Sequence, residues 1–194
     1  MTSPGRAPAG RDERNRRTEL LVAFAELVLD EGERAATLDA VAARAGVSKG
    51  GLLYHFRSQQ ALRHGLAEFY LQQLELEIKG MLAAGESPAL WYLRTSSDYL
   101  SELERITAAL VAIANTSTEE IRETLQRGRD RWAELIREEV GDDLTVVVIQ
   151  LGDGIAYNAQ VDGAADTPDA ASEFGTSARA ERLLEALRAH LANR

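Results

Sequence analysis

Thr37–Phe56 reads TLDAVAARAGVSKGGLLYHF, and two short helices joined by a tight turn account for its spacing. Thr37 can N-cap the first helix, and Asp39 in its first turn suits the positive end of the helix dipole. Leu38, Val41, Ala42 and Ala45 share one face at helical spacing. Gly46 can take the left-handed conformation that ends a helix, and Ser48 is placed to N-cap the next. Val47 and Leu52 stand at the N′ and N4 positions of a hydrophobic staple, which sets the angle between the helices. Ala42 is small enough to let the second helix cross close by. The pattern is a helix-turn-helix.

The second helix, Ser48–Phe56, turns Leu52 and Phe56 inward as an (i, i+4) pair. Its outer face then holds Gly50, Gly51 and Tyr54, with Leu53 and His55 on the flanks and Lys49 in the first turn. That face carries no acidic residue and suits a major groove. A solvated helical hairpin would instead be rich in Glu, Lys and Gln. Two glycines in so short a helix cost about 0.8–1 kcal/mol each against Ala. Close approach of a DNA backbone would explain that cost.

These residues resemble the TetR family of bacterial transcriptional repressors. The resemblance rests on GVSKGGLLYHF (Gly46–Phe56), followed by Ser58, Ala61 and Leu62, and on the preceding helix RTELLVAFAELVLDEG (Arg17–Gly32). It covers about the first third of the chain. Further on, GDGIAYNAQVDG (Gly152–Gly163) looks like the family's penultimate helix. Gly51 stands where the family often has a hydroxyl residue, Leu53 where it has an aromatic, and Gln59 where it commonly has a phosphate-touching lysine.

The chain has 194 residues and a net charge of −9, unevenly spread. Residues 1–65 hold ten Lys/Arg against eight Asp/Glu, so a slightly basic head precedes an acidic remainder. A basic head can bind DNA while an acidic body keeps non-specific binding low. With no cysteine there is no disulfide framework, thiolate metal site or cysteine nucleophile. The N-terminus lacks an apolar signal core, and no run of about 18 apolar residues offers a membrane span. A cytoplasmic, nucleoid-associated protein is expected.

Residues 1–12, rich in Pro, Gly, Ala and Arg, are expected to be disordered. Their arginines, with Arg14, Arg16 and Arg17, either touch phosphates and the minor groove or belong to a solvated tail. The first helix carries Leu20, Leu21, Phe24, Leu27 and Val28 inward and stops at Gly32. A long helix is expected from Ser58 towards Met81, then a break at 85–88, helices over 89–104 and 105–115, and an amphipathic helix over 119–140. LTVVVIQL (Leu144–Leu151) is β-branched like a strand, yet it has no strand to pair with. Leu144, Val147, Val148, Leu151 and Ile155 keep helical spacing, so the segment reads as a helix. A loop over 163–177 and a last helix over 178–191 complete an all-α chain of about nine helices. The expected domains are a helix-turn-helix DNA-binding domain at 13–60 and a helical effector-binding and dimerisation domain at 61–194.

Other chemistries find no anchor, and no catalytic residue, cofactor or metal site is expected. His55, His64 and His190 lack metal-ligand spacing. GDG at 152–154 is neither a phosphate loop nor a dinucleotide fingerprint. No serine lies in a G-x-S-x-G elbow. A winged helix would need a β-hairpin where Ser58 starts another helix.

The expected function is therefore a DNA-binding regulator, a homodimeric repressor released from operator DNA by a small molecule. The competing reading is a helical adaptor or degenerate regulator without DNA binding. The expected DNA contacts are Thr37, Arg44, Ser48, Lys49, Gly50, Gly51, Leu53, Tyr54, His55 and Gln59. Phe69, Tyr70, Trp91, Tyr92, Tyr99 and Trp132 either pack the core or, with Asn115, line a pocket for a hydrophobic or aromatic effector, as the resemblance implies. The resemblance likewise makes Leu144, Val148, Leu151, Gly152, Ile155, Ala156 and Ala159, with Leu183 and Leu187, a dimer interface.

Overall fold

A computed structural model describes residues 9–98, 100–115, 119–162 and 177–192. Among them nine α-helices form and no strand. They are α1 (Ala9–Glu31), α2 (Leu38–Arg44), α3 (Lys49–His55), α4 (Gln59–Ala84), α5 (Pro88–Thr95), α6 (Glu102–Ala114), α7 (Glu119–Val140), α8 (Asp142–Asp162) and α9 (Ser177–Ala192). The β-branched run is helical, inside α8. Most of the loop expected over 163–177 lies outside the described residues.

Three boundaries differ from expectation. Helix α1 begins at Ala9, inside the segment read as disordered, where Ala, Arg and Glu are good helix formers. The helix expected over 89–104 ends at Thr95. There the hydroxyls of Thr95, Ser96 and Ser97 turn back to carbonyls of Trp91, Tyr92 and Arg94, and such bonds compete with helix continuation. Ser101 then accepts from the Glu104 amide and restarts the helix as α6, which leaves Leu100 exposed. The expected domain boundary at 60–61 falls just inside α4, which continues unbroken to Ala84.

The packing separates into two compact units. Unit 1 comprises residues 1–72 and 106–123; unit 2 comprises 73–105 and 124–194. In unit 1, α1 packs on α2 and α2 on α3. Leu20, Leu21, Phe24, Val41, Leu52, Phe56, Leu62 and Leu66 are buried, as the helical spacing requires. Gly65 on α4 faces the Phe56 ring, where a Cβ would stand 2.7 Å from Cε1. Only glycine lets α4 pass so close, a role its sequence neighbourhood does not announce.

In unit 2, α5 packs on α8 and α9, and α8 on α9. A Cβ on Gly152 would meet the Tyr92 ring at 2.3 Å, so this glycine seats α5 on α8. Glu139 on α7 ties the far end of α5. Its carboxylate accepts from Ser87 Oγ at 2.6 Å, from the Ala89 amide at 2.9 Å and from Arg188 of α9 at 2.5 Å. Partial burial pushes the Glu139 pKa up, but the bonds from Ser87, Ala89 and Arg188 outweigh it and the net shift is downward.

Candidate nucleic-acid interface

The helix-turn-helix is built as its sequence dictates. Thr37 has an extended backbone and its Oγ1 accepts from the Ala40 amide at 3.2 Å. Gly46 closes α2 at φ +65°, a conformation most L side chains resist. Ser48 then caps α3, its Oγ accepting from the Gly51 amide at 3.1 Å. Leu52 and Phe56 are buried, while Gly50, Gly51 and Tyr54 face outward and Leu53 and His55 are half-buried. Tyr54 is 73% exposed.

Packing inside the protein does not ask for the glycines of α3. A Cβ at Gly50 would come no closer than 4.0 Å to Ser48 Oγ. At Gly51 it would make an ordinary contact at 3.4 Å with the same atom. Gly65 is held to glycine by a contact within the chain, whereas Gly50 and Gly51 are not.

Most polar groups of this surface have internal partners. Tyr54 donates its hydroxyl to Glu13 at 2.8 Å and stands edge-on to the His55 ring, the centroids 5.1 Å apart. The Glu13 bond, aided by its charge, raises the Tyr54 pKa above the usual ten. Lys49 pairs with Asp39 at 2.9 Å. Thr37 and Ser48 spend a lone pair on capping and keep a proton to donate.

Two expected contacts are redirected. Arg44 pairs with Asp30 at 2.5 Å and Glu31 at 3.1 Å, so its guanidinium clamps α2 to the end of α1. Gln59 turns inward, its Nε2 donating to the carbonyls of Glu33 and Ala36, both at 3.1 Å. It satisfies a loop that would otherwise leave two acceptors bare. Arg34 and Arg57, not among the expected contacts, are exposed and without an ion pair among the described residues. Their isolation from carboxylates in space was invisible in the sequence.

The expected pocket residues divide between the units. Unit 2 brings Tyr92 and Trp132 together, ring centroids 5.5 Å apart, and Trp91 donates its indole N–H to Glu77 at 2.9 Å. Phe69 and Tyr70 are buried side chains of unit 1, where Asn115 is exposed. Tyr99 lies outside the described residues. Tyr92 donates to Asp153 at 2.9 Å, and Arg129 pairs with the other oxygen of Asp153 at 3.1 Å. Glu104 is the residue that sequence reasoning missed. Burial first, then the charges of Glu77, Asp153 and Asp98, push its pKa up to about 8.

The expected dimer residues are also rearranged. Leu144, Val148, Gly152 and Ile155 are buried inside their own protomer, because the β-branched face of α8 packs inward. Leu151, Ala156 and Ala159 are half-buried, and the side chain of Leu187 lies outside the described residues. The exposed apolar stripe of α8 is Val146 (64%), Tyr157 (66%) and Val161 (64%), with Leu183 of α9 at 46%.

The architecture is an N-terminal helix-turn-helix followed by a helical C-terminal region. Comparison with known proteins carries this further. Residues 20–66 match the model of bacterial regulatory proteins of the tetR family. Over 102 residues the chain is 39% identical to the HTH-type transcriptional activator FasR of Mycolicibacterium smegmatis, a stretch that is 53% of this chain and 39% of that relative. The fold superposes on the TetR family protein CprB from S. coelicolor A3(2) with a TM-score of 0.63 and 19% identity, over 81% of this chain and 83% of that one. The multidrug binding protein EbrR, complexed with malachite green, gives 0.62 and 15%, over 87% and 97%. The similarity to the tetR family of bacterial regulatory proteins is carried by residues 20–66, about a quarter of the chain. The chain spans about two-fifths of the length of the curated relative it matches.

Proposed function

We propose that the chain is a homodimeric DNA-binding transcriptional regulator, a repressor released from its operator by a small molecule. The observation that carries DNA binding is the outer face of α3. It holds Tyr54 and two glycines that no internal contact requires, and it bears no acid. A helical adaptor gives no reason for those glycines. In this reading residues 13–60 are the DNA-binding domain and 61–194 the effector and dimerisation domain. The α3 helices of two protomers enter successive major grooves about 34–36 Å apart. Thr37, Ser48, Lys49, Gly50, Gly51, Leu53, Tyr54 and His55 meet the duplex, joined by Arg34 and Arg57 at phosphates. A cytoplasmic location follows from this function.

Repression needs only occupancy of an operator, so we take it as the sign of regulation. The relative from Mycolicibacterium smegmatis is named an activator, and a reporter fused to the bound promoter decides between them. Dimerisation is assigned to the stripe of Val146, Tyr157, Val161 and Leu183, which unit 2 leaves uncovered. The effector is assigned to the aromatic side chains of unit 2. Tyr92 and Trp132 supply aromatic faces, and Glu104, which is mostly protonated at neutral pH in the free protein, would release its proton to offset the charge of a cationic effector bound beside it.

The test is a gel shift of genomic fragments with the wild type and with a Gly51→Leu variant. Retardation of a discrete fragment by the wild type alone, reversed by a cationic aromatic dye, is the expected result. A well-folded protein that retards no fragment, or two proteins that retard the same one equally, overturns the reading.

A further inference from the structure

Tyr54 is the largest exposed side chain on α3, and its hydroxyl is already engaged. The partner, Glu13, lies 41 residues earlier on α1 and reaches across at 2.8 Å. A phenol has one proton and can donate or accept, whereas an ionised carboxylate only accepts. The phenol must therefore be the donor. What remains exposed is the phenol lone pair and the carboxylate, and both are acceptors. His55 stands edge-on beside the phenol ring, which limits its swing on that side.

We propose that Glu13 is a specificity-determining residue of the recognition surface: by taking the Tyr54 proton, it fixes Tyr54 as a hydrogen-bond acceptor towards DNA. This rests on the DNA-binding reading above. In the major groove, guanine offers N7 and O6 and thymine offers O4, all acceptors, while cytosine N4 and adenine N6 donate. Against guanine or thymine, two acceptors face each other with no proton between them. Against cytosine or adenine, the exocyclic amino group completes the bond. The negative charge of Glu13 also disfavours a phosphate at this position, so Tyr54 is directed to a base edge and away from the backbone. Glu13 acts through Tyr54 and is a positioning residue.

The experiment has two arms. Wild type, Glu13→Gln and Tyr54→Phe are each used to select sites from a randomised double-stranded DNA library. In parallel, the Tyr54 ring carbon is titrated by NMR in the DNA-free protein, its signal assigned by loss in Tyr54→Phe. The wild type is expected to enrich an amino-bearing base at one position of each half-site, by about tenfold over its carbonyl counterpart. Gln at position 13 can donate as well as accept, so Glu13→Gln should abolish that preference while other positions hold. Tyr54→Phe should abolish it too. In the DNA-free arm, Glu13→Gln should lower the Tyr54 pKa. A Glu13→Gln protein with the same selected motif, or with an unchanged Tyr54 titration, overturns the proposal. A wild type that enriches no sequence overturns the DNA-binding reading, and the titration still judges the contact by itself.

Discussion

In unit 1 the bonds that start the two short helices α2 and α3 join near neighbours: Ala40 to Thr37 and Gly51 to Ser48, three positions apart. In unit 2 the anchors join distant segments: Ser87 to Glu139 across 52 positions and Tyr92 to Asp153 across 61. The two regions place their glycines by the same rule. Gly46 serves a turn that its own neighbours specify. Gly152 serves a tyrosine sixty residues earlier, and nothing beside it in the chain shows that. Local bonds are legible in sequence because their spacing is their geometry. Distant bonds are not, because any of many carboxylates can be the partner.

The largest expected effect breaks unit 2 at its point of closest approach. Gly152→Leu drives side-chain atoms into the Tyr92 ring, where even a Cβ stands 2.3 Å from Cε1 and 3.0 Å from Ser96 Oγ. Both helices carrying these residues are packed, so relief requires backbone movement, and overpacking of this kind costs about 1–3 kcal/mol or more. Urea unfolding measures it. Had Gly152 stood at a dimer interface, the same variant would dissociate the dimer and leave protomer stability intact. Sedimentation at matched stability separates the two outcomes.

The next prediction uses Glu104. Its folded pKa of about 8 lies above the ordinary carboxylate value of 4.5. Between those pH values the folded state holds a proton that the unfolded state has released, so stability falls as pH rises from about 4.5 to 8. Glu104→Gln removes the carboxylate and the slope with it. The gap between 4.5 and about 8 corresponds to about 5 kcal/mol, cut down because Glu104 is only half-buried, so at pH 9 the variant should be the more stable by on the order of 2 kcal/mol, with little difference at pH 4. Denaturation at the two pH values checks this. Parallel curves for the two proteins would mean that Glu104 is well solvated and that unit 2 is looser than its packing implies.

A substitution on α3 should do the reverse of Gly152→Leu. Gly51→Ala meets only an ordinary contact with Ser48 Oγ and removes a poor helix former from a short helix. It should stabilise unit 1 by up to about 0.8 kcal/mol and weaken operator binding in the same protein. Tm and fluorescence anisotropy with an operator duplex read the two effects. Stability gained with affinity unchanged would mean that α3 does not approach a backbone.

How much could be read in advance follows from that contrast. The two caps, the Gly46 turn, the inward pair Leu52 and Phe56, and the outward Tyr54 were all legible, since each depends on residues within about one helical turn. Inside the same unit, the internal partners of Gln59 and Arg44 were not legible. Their partners lie 23–26 positions away for Gln59 and 13–14 for Arg44. In unit 2 the helical character of α8 was legible from the spacing of its apolar residues, but which face turned inward was not. Both faces carry apolar residues, and the inward one is the face on which Tyr92 closes on Gly152. Glu104 gave no signal, because a half-buried carboxylate has the same letter as a solvated one.

The smallest expected effect tests whether a distant bond matters when it is exposed. His64 of α4 contacts Glu120 of α7 through Nδ1 at 2.5 Å and Glu68 of its own helix through Nε2 at 3.4 Å. Glu68 is also paired with Arg17 at 3.0 Å, so three helices of unit 1 meet in one polar chain. The bond to Glu120 leads the causes that raise the His64 pKa above 6.5, against a smaller loss from burial. A raised histidine pKa means the stabilisation is fully present below about 6.5 and is lost as pH rises through the folded value. Every side chain in the chain of contacts is substantially exposed, so solvent screens it and the contribution should be a few tenths of a kcal/mol. His64→Gln should therefore lower stability slightly at pH 5.5 and leave it unchanged at pH 8.5. Raising the salt concentration at pH 5.5 should erase even that difference. A loss that persists at high pH and high salt would show that the imidazole matters by packing, and that the distant contact is held by shape and not by charge.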